Sequence, residues 1–355
     1  MHIRMTRSRP WLVLVTLVAL LALTVSAAPV GAVPDGEQQL FSDDFAGGFT
    51  GTNWFPFAAG PYVGDDGVVT TSANGLHVIS RPNAAGKPAF VRTLGQEGAA
   101  DNPAGLPGGI DHVKWLYYIN RSNPATGQPG FAAPIDGREL VCAARVSGRS
   151  HGTAAHPFGQ AVANPDDDLR LAAPAMNAID FDTFMVFDFL LTNERVYAFY
   201  EHLPFGRDAH GNYAAFSYGI PVASRAPGDF HDLAIAYNKA AGTVRWLVDD
   251  KEVFRVARIG HRIERQYMVL DHGGADMTFS PNQLDCGMGM FTLLDGHGPT
   301  NRGLVRLSTA PGFYFNPAIG QPAVETFVDP RSAPSSRLYG QGAELRLQRY
   351  TVSYR

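Results

Sequence analysis

Apolar and polar side chains alternate in three short runs between residues 230 and 256. Leu233, Ile235 and Tyr237 share one parity in the first run, and Val244, Trp246 and Val248 share one in the second. A third run covers 251–256. A period of two is the mark of a half-buried strand. The runs are broken at 238–242, where Gly242 can supply a positive φ, and at Asp249-Asp250, a pair that tolerates one. The pattern predicts an antiparallel meander with Trp246 in the core. Asn74-Gly75 between 68–71 and 76–80 predicts a hairpin, and Thr192-Asn193-Glu194 between 184–191 and 195–202 predicts another. Further strands are expected at 40–45, 139–146, 213–218, 266–270, 287–294, 304–307 and 345–354. No helical pattern exceeds two turns and no internal repeat occurs. The chain therefore reads as all-β.

Two stretches interrupt this rhythm. Residues 82–135 are rich in Gly, Pro, Ala and Asn around one aromatic run at 113–119. They are expected to form a long surface insertion, with Trp115 as an exposed platform. Residues 147–178 read as loop, including the acidic run Asp166-Asp167-Asp168. Long loops in a compact domain are usually functional or disordered.

The first 32 residues have a different pattern. Arg4, Arg7 and Arg9 precede an apolar stretch from 11 to 25, and Val30-Gly31-Ala32 ends it with small or short residues. This is the pattern of a secretory signal peptide rather than a membrane span. The expected mature chain, 33–355, is one extracellular domain. A formal net charge of −4 without a basic cluster argues against nucleic acid or an anionic membrane as partner. The 38 Gly and 25 Pro suit many strands joined by turns. The two cysteines, Cys142 and Cys286, predict one disulfide in a secreted chain, the alternative being two buried thiols.

At this point a resemblance enters. Phe230-His231, the alternating run after it, and Val244-Arg245-Trp246-Leu247-Val248-Asp249-Asp250 resemble a block of the concanavalin A-like lectin/glucanase superfamily. The likeness is nearest to the jelly rolls of glycoside hydrolase family 16. Phe41-Ser42-Asp43-Asp44-Phe45 with Trp54 resembles their first strand, and residues 345–352 resemble their last, which lies beside it. The chain is also similar to a secreted actinobacterial family called domain of unknown function 6081. The resemblance implies a jelly-roll sandwich of two antiparallel sheets and a polysaccharide or cell-surface glycan as partner.

Family 16 enzymes carry Glu-x-Asp-x-Glu on one strand, the first Glu attacking and the last serving as acid/base. This chain offers Ala178-Ile179-Asp180-Phe181-Asp182 or Phe184-Met185-Val186-Phe187-Asp188. The nucleophile is missing from both, and the acid/base position holds the shorter Asp. The second register fits better, because a short hairpin follows it. Candidate ligand-binding residues are Asp188, His202, Asp271 and His272, on one groove, with Trp115 for stacking. Each has a plain structural alternative, as a buried satisfied group or a turn residue. Asp166-Asp167-Asp168 could bind calcium but lacks the periodicity of a calcium loop; no cofactor is expected. The expectation is a secreted, non-catalytic glycan-binding protein. The competing reading is a polysaccharide hydrolase or lyase with rearranged carboxylates. A deep cleft with two carboxylates about 5–10 Å apart would favour the latter.

Overall fold

The computed structural model describes residues 36–355; the signal peptide read from residues 1–32 lies outside them. Two antiparallel sheets form a jelly-roll β-sandwich. The first runs, edge to edge, through Lys251–Val256, Thr243–Val248, His231–Asn238, Leu140–His151, Gly342–Tyr354, Gly75–Ile79 and Val68–Ser72. The second runs through Met268–Asp271, Phe216–Ser224, Arg195–His202, Met185–Leu191, Ala173–Asp180, Gln283–Phe291, Val113–Ile119 and Trp54–Pro56. The strand Gln38–Asp43 pairs with the far end of Gly342–Tyr354, Gln38 opposite Tyr354, so first and last strands are neighbours.

The meander forms in the register its alternation dictates, with Ile235 opposite Trp246 and Trp246 opposite Phe254. Asp249 and Asp250 both take positive φ, 50° and 64°, which lets so tight a turn close. Leu233, Ile235, Tyr237, Val244 and Trp246 are fully buried between the sheets. The Trp246 ring meets Phe187 of the second sheet edge to face at 5.9 Å, and its Nε1 donates to the backbone carbonyl of Asp188 at 2.8 Å. The hydrogen bond makes burial of the indole affordable. It also pins the strand that carries Asp188.

Cys142 of the first sheet and Cys286 of the second are disulfide-bonded, with Cα atoms 5.9 Å apart and 144 residues of separation. On the chain-entropy model a loop of that length corresponds to about 5 kcal/mol of stabilisation.

Three expectations need correction. The aromatic run at 113–119 does not sit in a surface insertion; it is a strand of the second sheet, paired with Gln283–Phe291 and Trp54–Pro56. Trp115 is accordingly no exposed platform. It is 1% exposed and packs on Tyr117 and Phe49. The run is apolar on both parities because both faces of its sheet are covered. Finally, part of the presumed loop 147–178 is the strand Ala173–Asp180, in the middle of the second sheet. Its Pro174 and three alanines have poor strand propensity. Tertiary pairing on both edges overrides that.

The carboxylates of Asp166, Asp167 and Asp168 accept from Asn193, from Thr192 and Tyr197, and from Arg170, at 2.5–3.0 Å. The acidic run is thus engaged by protein donors. No helix among the described residues is long and apolar enough to cross a membrane.

Candidate functional site

The face of the second sheet turned away from the first carries a cleft of about 330 Å³. Register decides what lines its floor. Asp188 lies opposite Phe199, and Val186 opposite Glu201, in the hairpin of Met185–Leu191 and Arg195–His202. Residues directly opposite in an antiparallel pair share a face. Val186, Asp188 and Leu190 therefore project into the cleft with Phe199 and Glu201, and Asn177 and Ile179 join them from the neighbouring strand. Asp188 and Glu201 are diagonal neighbours on adjacent strands. That geometry sets them roughly 7 Å apart at Cβ.

Both carboxyls are buried and neither pairs with a cation among the described residues. Asn177 Nδ2 donates to Asp188 Oδ2 at 2.7 Å, and the Ala178 backbone N–H donates to Oδ1 at 3.0 Å. Burial nonetheless pushes the Asp188 pKa far above the carboxylate range, and the nearby Glu201 charge adds to it. These hydrogen bonds work in the opposite direction. Ser217 Oγ donates to Glu201 Oε1 at 2.5 Å. Burial lifts the Glu201 pKa to about 7, against the pull of Ser217 and of His112. Asn177 Oδ1 is buried and finds no donor among the described residues.

A second polar group closes the site. His112 lines the cleft from the last residue of the 3₁₀ turn Gly108–His112. Its Nε2 lies 2.6 Å from Asp295 Oδ1, and Tyr314 donates its hydroxyl to Asp295 Oδ2 at 2.7 Å. Burial alone would lower the His112 pKa, but the Asp295 carboxylate outweighs it and the net shift is upward. Asp295 moves the other way, its burial outweighed by His112. The pair therefore favours an imidazolium facing a carboxylate.

The walls are apolar. Phe57, Ile110, Phe181 with Phe184, and Leu203 with Phe205 arrive from four segments, and all six are half-buried. Phe184 holds a φ of 58°. A bulky aromatic in the left-handed region is a genuine outlier and costs on the order of 1–3 kcal/mol. Its conformation is fixed by its N–H donating to Asp180 O at 2.7 Å and by Leu203 N–H donating to its carbonyl at 3.1 Å. Its ring stands edge-on to Phe205 at 6.1 Å.

Of the residues singled out from the sequence, Asp188 lies on the cleft floor. His202 lies on the opposite face of its strand, stacked on Tyr213 at 3.9 Å with Nε2 3.0 Å from Thr183 O. Burial lowers its pKa to about 4, so it is a neutral packing group. Asp271 ends an edge strand, where it accepts from Arg265 at 2.9 Å and from Gly273 N–H at 2.8 Å. His272 is bonded to Phe313 O at 2.6 Å, and burial lowers its pKa to about 4. Its ring packs 5.6 Å from Tyr314, so it touches the Asp295 network from behind without lining the cleft. The structure thus does not gather these four side chains in one groove. Glu201, His112 and Asn177 take the places that His202, Asp271 and His272 were expected to fill. The two registers weighed for the catalytic strand also separate. Phe184, Val186 and Asp188 face the cleft, whereas Ala178 packs in the inter-sheet core and Asp180 is bonded to Thr183.

Residues 39–355 match the model of a "family of unknown function (DUF6081)". An uncharacterized protein, L829, of Acanthamoeba polyphaga mimivirus is 32% identical over 295 residues, 67% of this chain; the chain spans 62% of that viral protein's length. Among solved structures, the κ-carrageenase of Pseudoalteromonas carrageenovora in complex with an oligosaccharide of κ-carrageenan is similar over 93% of this chain and 100% of its own, with 13% identity and a TM-score of 0.40. The endo-1,3-β-glucanase catalytic domain of Thermotoga petrophila is similar over 89% of this chain and 97% of its own, with 11% identity and a TM-score of 0.39.

Proposed function

The chain belongs to the DUF6081 family, and we propose that this member is an extracellular protein that cleaves a glycosidic bond with Asp188 and Glu201. The observation that carries the proposal is the convergence of these two carboxyls on one cleft floor, from adjacent strands, with different protonation behaviour. When two carboxyls have their pKa values pushed apart, the higher one supplies the proton and the lower one takes it. Asp188, kept neutral by burial, protonates the leaving oxygen. Glu201, close to half-ionised near pH 7, takes a proton from the attacking water. With Glu201 acting as base rather than nucleophile, the water attacks the anomeric carbon directly and the configuration inverts. Asn177 Oδ1 offers an acceptor to a sugar hydroxyl, and the aromatic walls offer stacking surfaces. The leader pattern at residues 1–32 and the disulfide support an extracellular location.

The test is reducing-end release over a panel of polysaccharides, with a glycan array alongside. Turnover with inversion, lost by at least 10²-fold in both Asp188→Asn and Glu201→Gln while the variants remain folded, is the expected result. Retention of anomeric configuration would overturn the role given to Glu201. Absence of both turnover and glycan binding would overturn the reading entirely. A second reading is a glycan-binding protein without turnover. It is favoured by the two protein donors that already occupy both Asp188 oxygens. Binding on the array with no release from any polysaccharide would establish it.

A further inference from the structure

We infer that the cleft takes a sugar bearing an apolar substituent, an aryl, alkyl or acyl group, rather than an unmodified oligosaccharide; this rests on the glycan reading just given. Polar side chains reach the cavity at Asn177, Asp188, Glu201, His112 and Tyr118. The rest of the lining is phenyl or aliphatic. A sugar ring carries hydroxyls around its whole rim, and each one buried without a partner weakens binding. One ring can be satisfied by the polar floor. A second ring against Phe57, Phe181, Phe184 and Phe205 would leave its hydroxyls unpaired. An apolar group in the same place loses nothing and removes aromatic surface from water.

The wall rings are not core residues that happen to lie nearby. All four remain half-buried, and they come from three stretches of the chain, at 57, at 181–184 and at 205. Phe184 adds an independent observation. Glycine or asparagine would relieve its positive φ, yet the position holds a phenyl ring facing the cavity. Strain of this kind persists where the side chain is needed. The polar floor and the strained apolar wall together describe an amphipathic ligand, with the bond between its two halves above Asp188 and Glu201.

Equilibrium binding to the intact protein tests this with three sets of probes: 4-methylumbelliferyl glycosides of glucose, galactose, mannose and N-acetylglucosamine, the same free sugars, and 4-methylumbelliferone alone. At least one aryl glycoside is expected to bind tenfold or more tightly than both its free sugar and the bare aglycone. Phe184→Gly should reduce that preference about tenfold while the thermal midpoint holds or rises. Phe57→Ser, on a separate segment, should reduce it too and serves if Phe184→Gly misfolds. Equal affinity for a glycoside and its free sugar overturns the apolar substituent and leaves the glycan reading standing. Aglycone binding as tight as any glycoside keeps the apolar pocket and removes the sugar from it. Binding by no probe overturns the inference, and the polysaccharide panel then decides the glycan reading by itself.

Discussion

Asp232 on the outer face of the first sheet lies between Arg145 and Arg349, at 2.7 and 3.0 Å, and Glu344 on the same sheet pairs with Arg346 at 2.6 Å. Asp188 and Glu201 on the outer face of the second sheet have no such partners and sit under a roof of loops. Both faces belong to one sandwich and share one core. The first keeps its carboxylates beside arginines, and for the exposed Asp232 such pairs are worth little and cost little. The second takes carboxyls out of water and leaves them to change protonation state instead. That expense serves no packing purpose, since a leucine in either place would fill the space at lower cost. On the function proposed above, it is the physical sign that sets the working face apart.

The contrast can be broken at several depths. The deepest is the link between the two sheets. Replacing Cys142 and Cys286 by alanine should cost about 5 kcal/mol, read from denaturant midpoints, and both faces should fail together. Next is the contact that joins the core to the working face. Trp246→Ala should cost about 3–5 kcal/mol. Trp246→Phe keeps most of the packing but removes the donor to the Asp188 carbonyl. Its cost should be about 1 kcal/mol, and turnover should fall further than stability does.

A third change acts on the working face alone. Glu201 has a folded pKa of about 7, above the ordinary 4.5. A raised acid contributes stability below its unfolded pKa and loses it as pH rises through the folded one. The parent should therefore weaken between about pH 4.5 and pH 7 by on the order of 3 kcal/mol from this group. Glu201→Gln stays neutral, so at pH 8 it should be more stable than the parent while inactive. A variant less stable than the parent at pH 8 would show that the carboxylate is paired rather than penalised. The smallest effect belongs to the first sheet. Asp232→Ala should change stability by less than about 1 kcal/mol, and less still at high salt. A large loss there would erase the distinction between the faces.

Much of the frame was legible in the sequence. The meander, the place of Trp246 and the pairing of the two cysteines follow from alternation, turn chemistry and parity. The strand Ala173–Asp180 was not, because alanines and a proline give no local signal and only its two neighbours make it a strand. The site was half legible. Asp188 stands out as a charge in an apolar run, but the strand after it is apolar on both faces, so Glu201 and His202 look alike. The hairpin between them holds the answer. With Leu191 opposite Val196, counting back sets Glu201 on the face of Asp188 and His202 on the face of Met185. His112 had no sequence signal at all. It reaches the cleft from a turn more than seventy residues before Asp188, and its partner Asp295 lies 183 residues further on from it.

The strand Gly342–Tyr354 pairs with Leu140–His151 on one side and with Gly75–Ile79 and Gln38–Asp43 on the other. The last strand of the sandwich is thus a central member of its first sheet. Nothing earlier in the chain can stand in for it, so the first sheet stays split until residues 342–354 have been synthesised. Long-range closure of this kind is slow compared with local pairing. During synthesis the ribosome therefore carries an open, unfinished sheet with two exposed edges. A nascent chain in that state keeps unpaired strand edges that chaperones must guard.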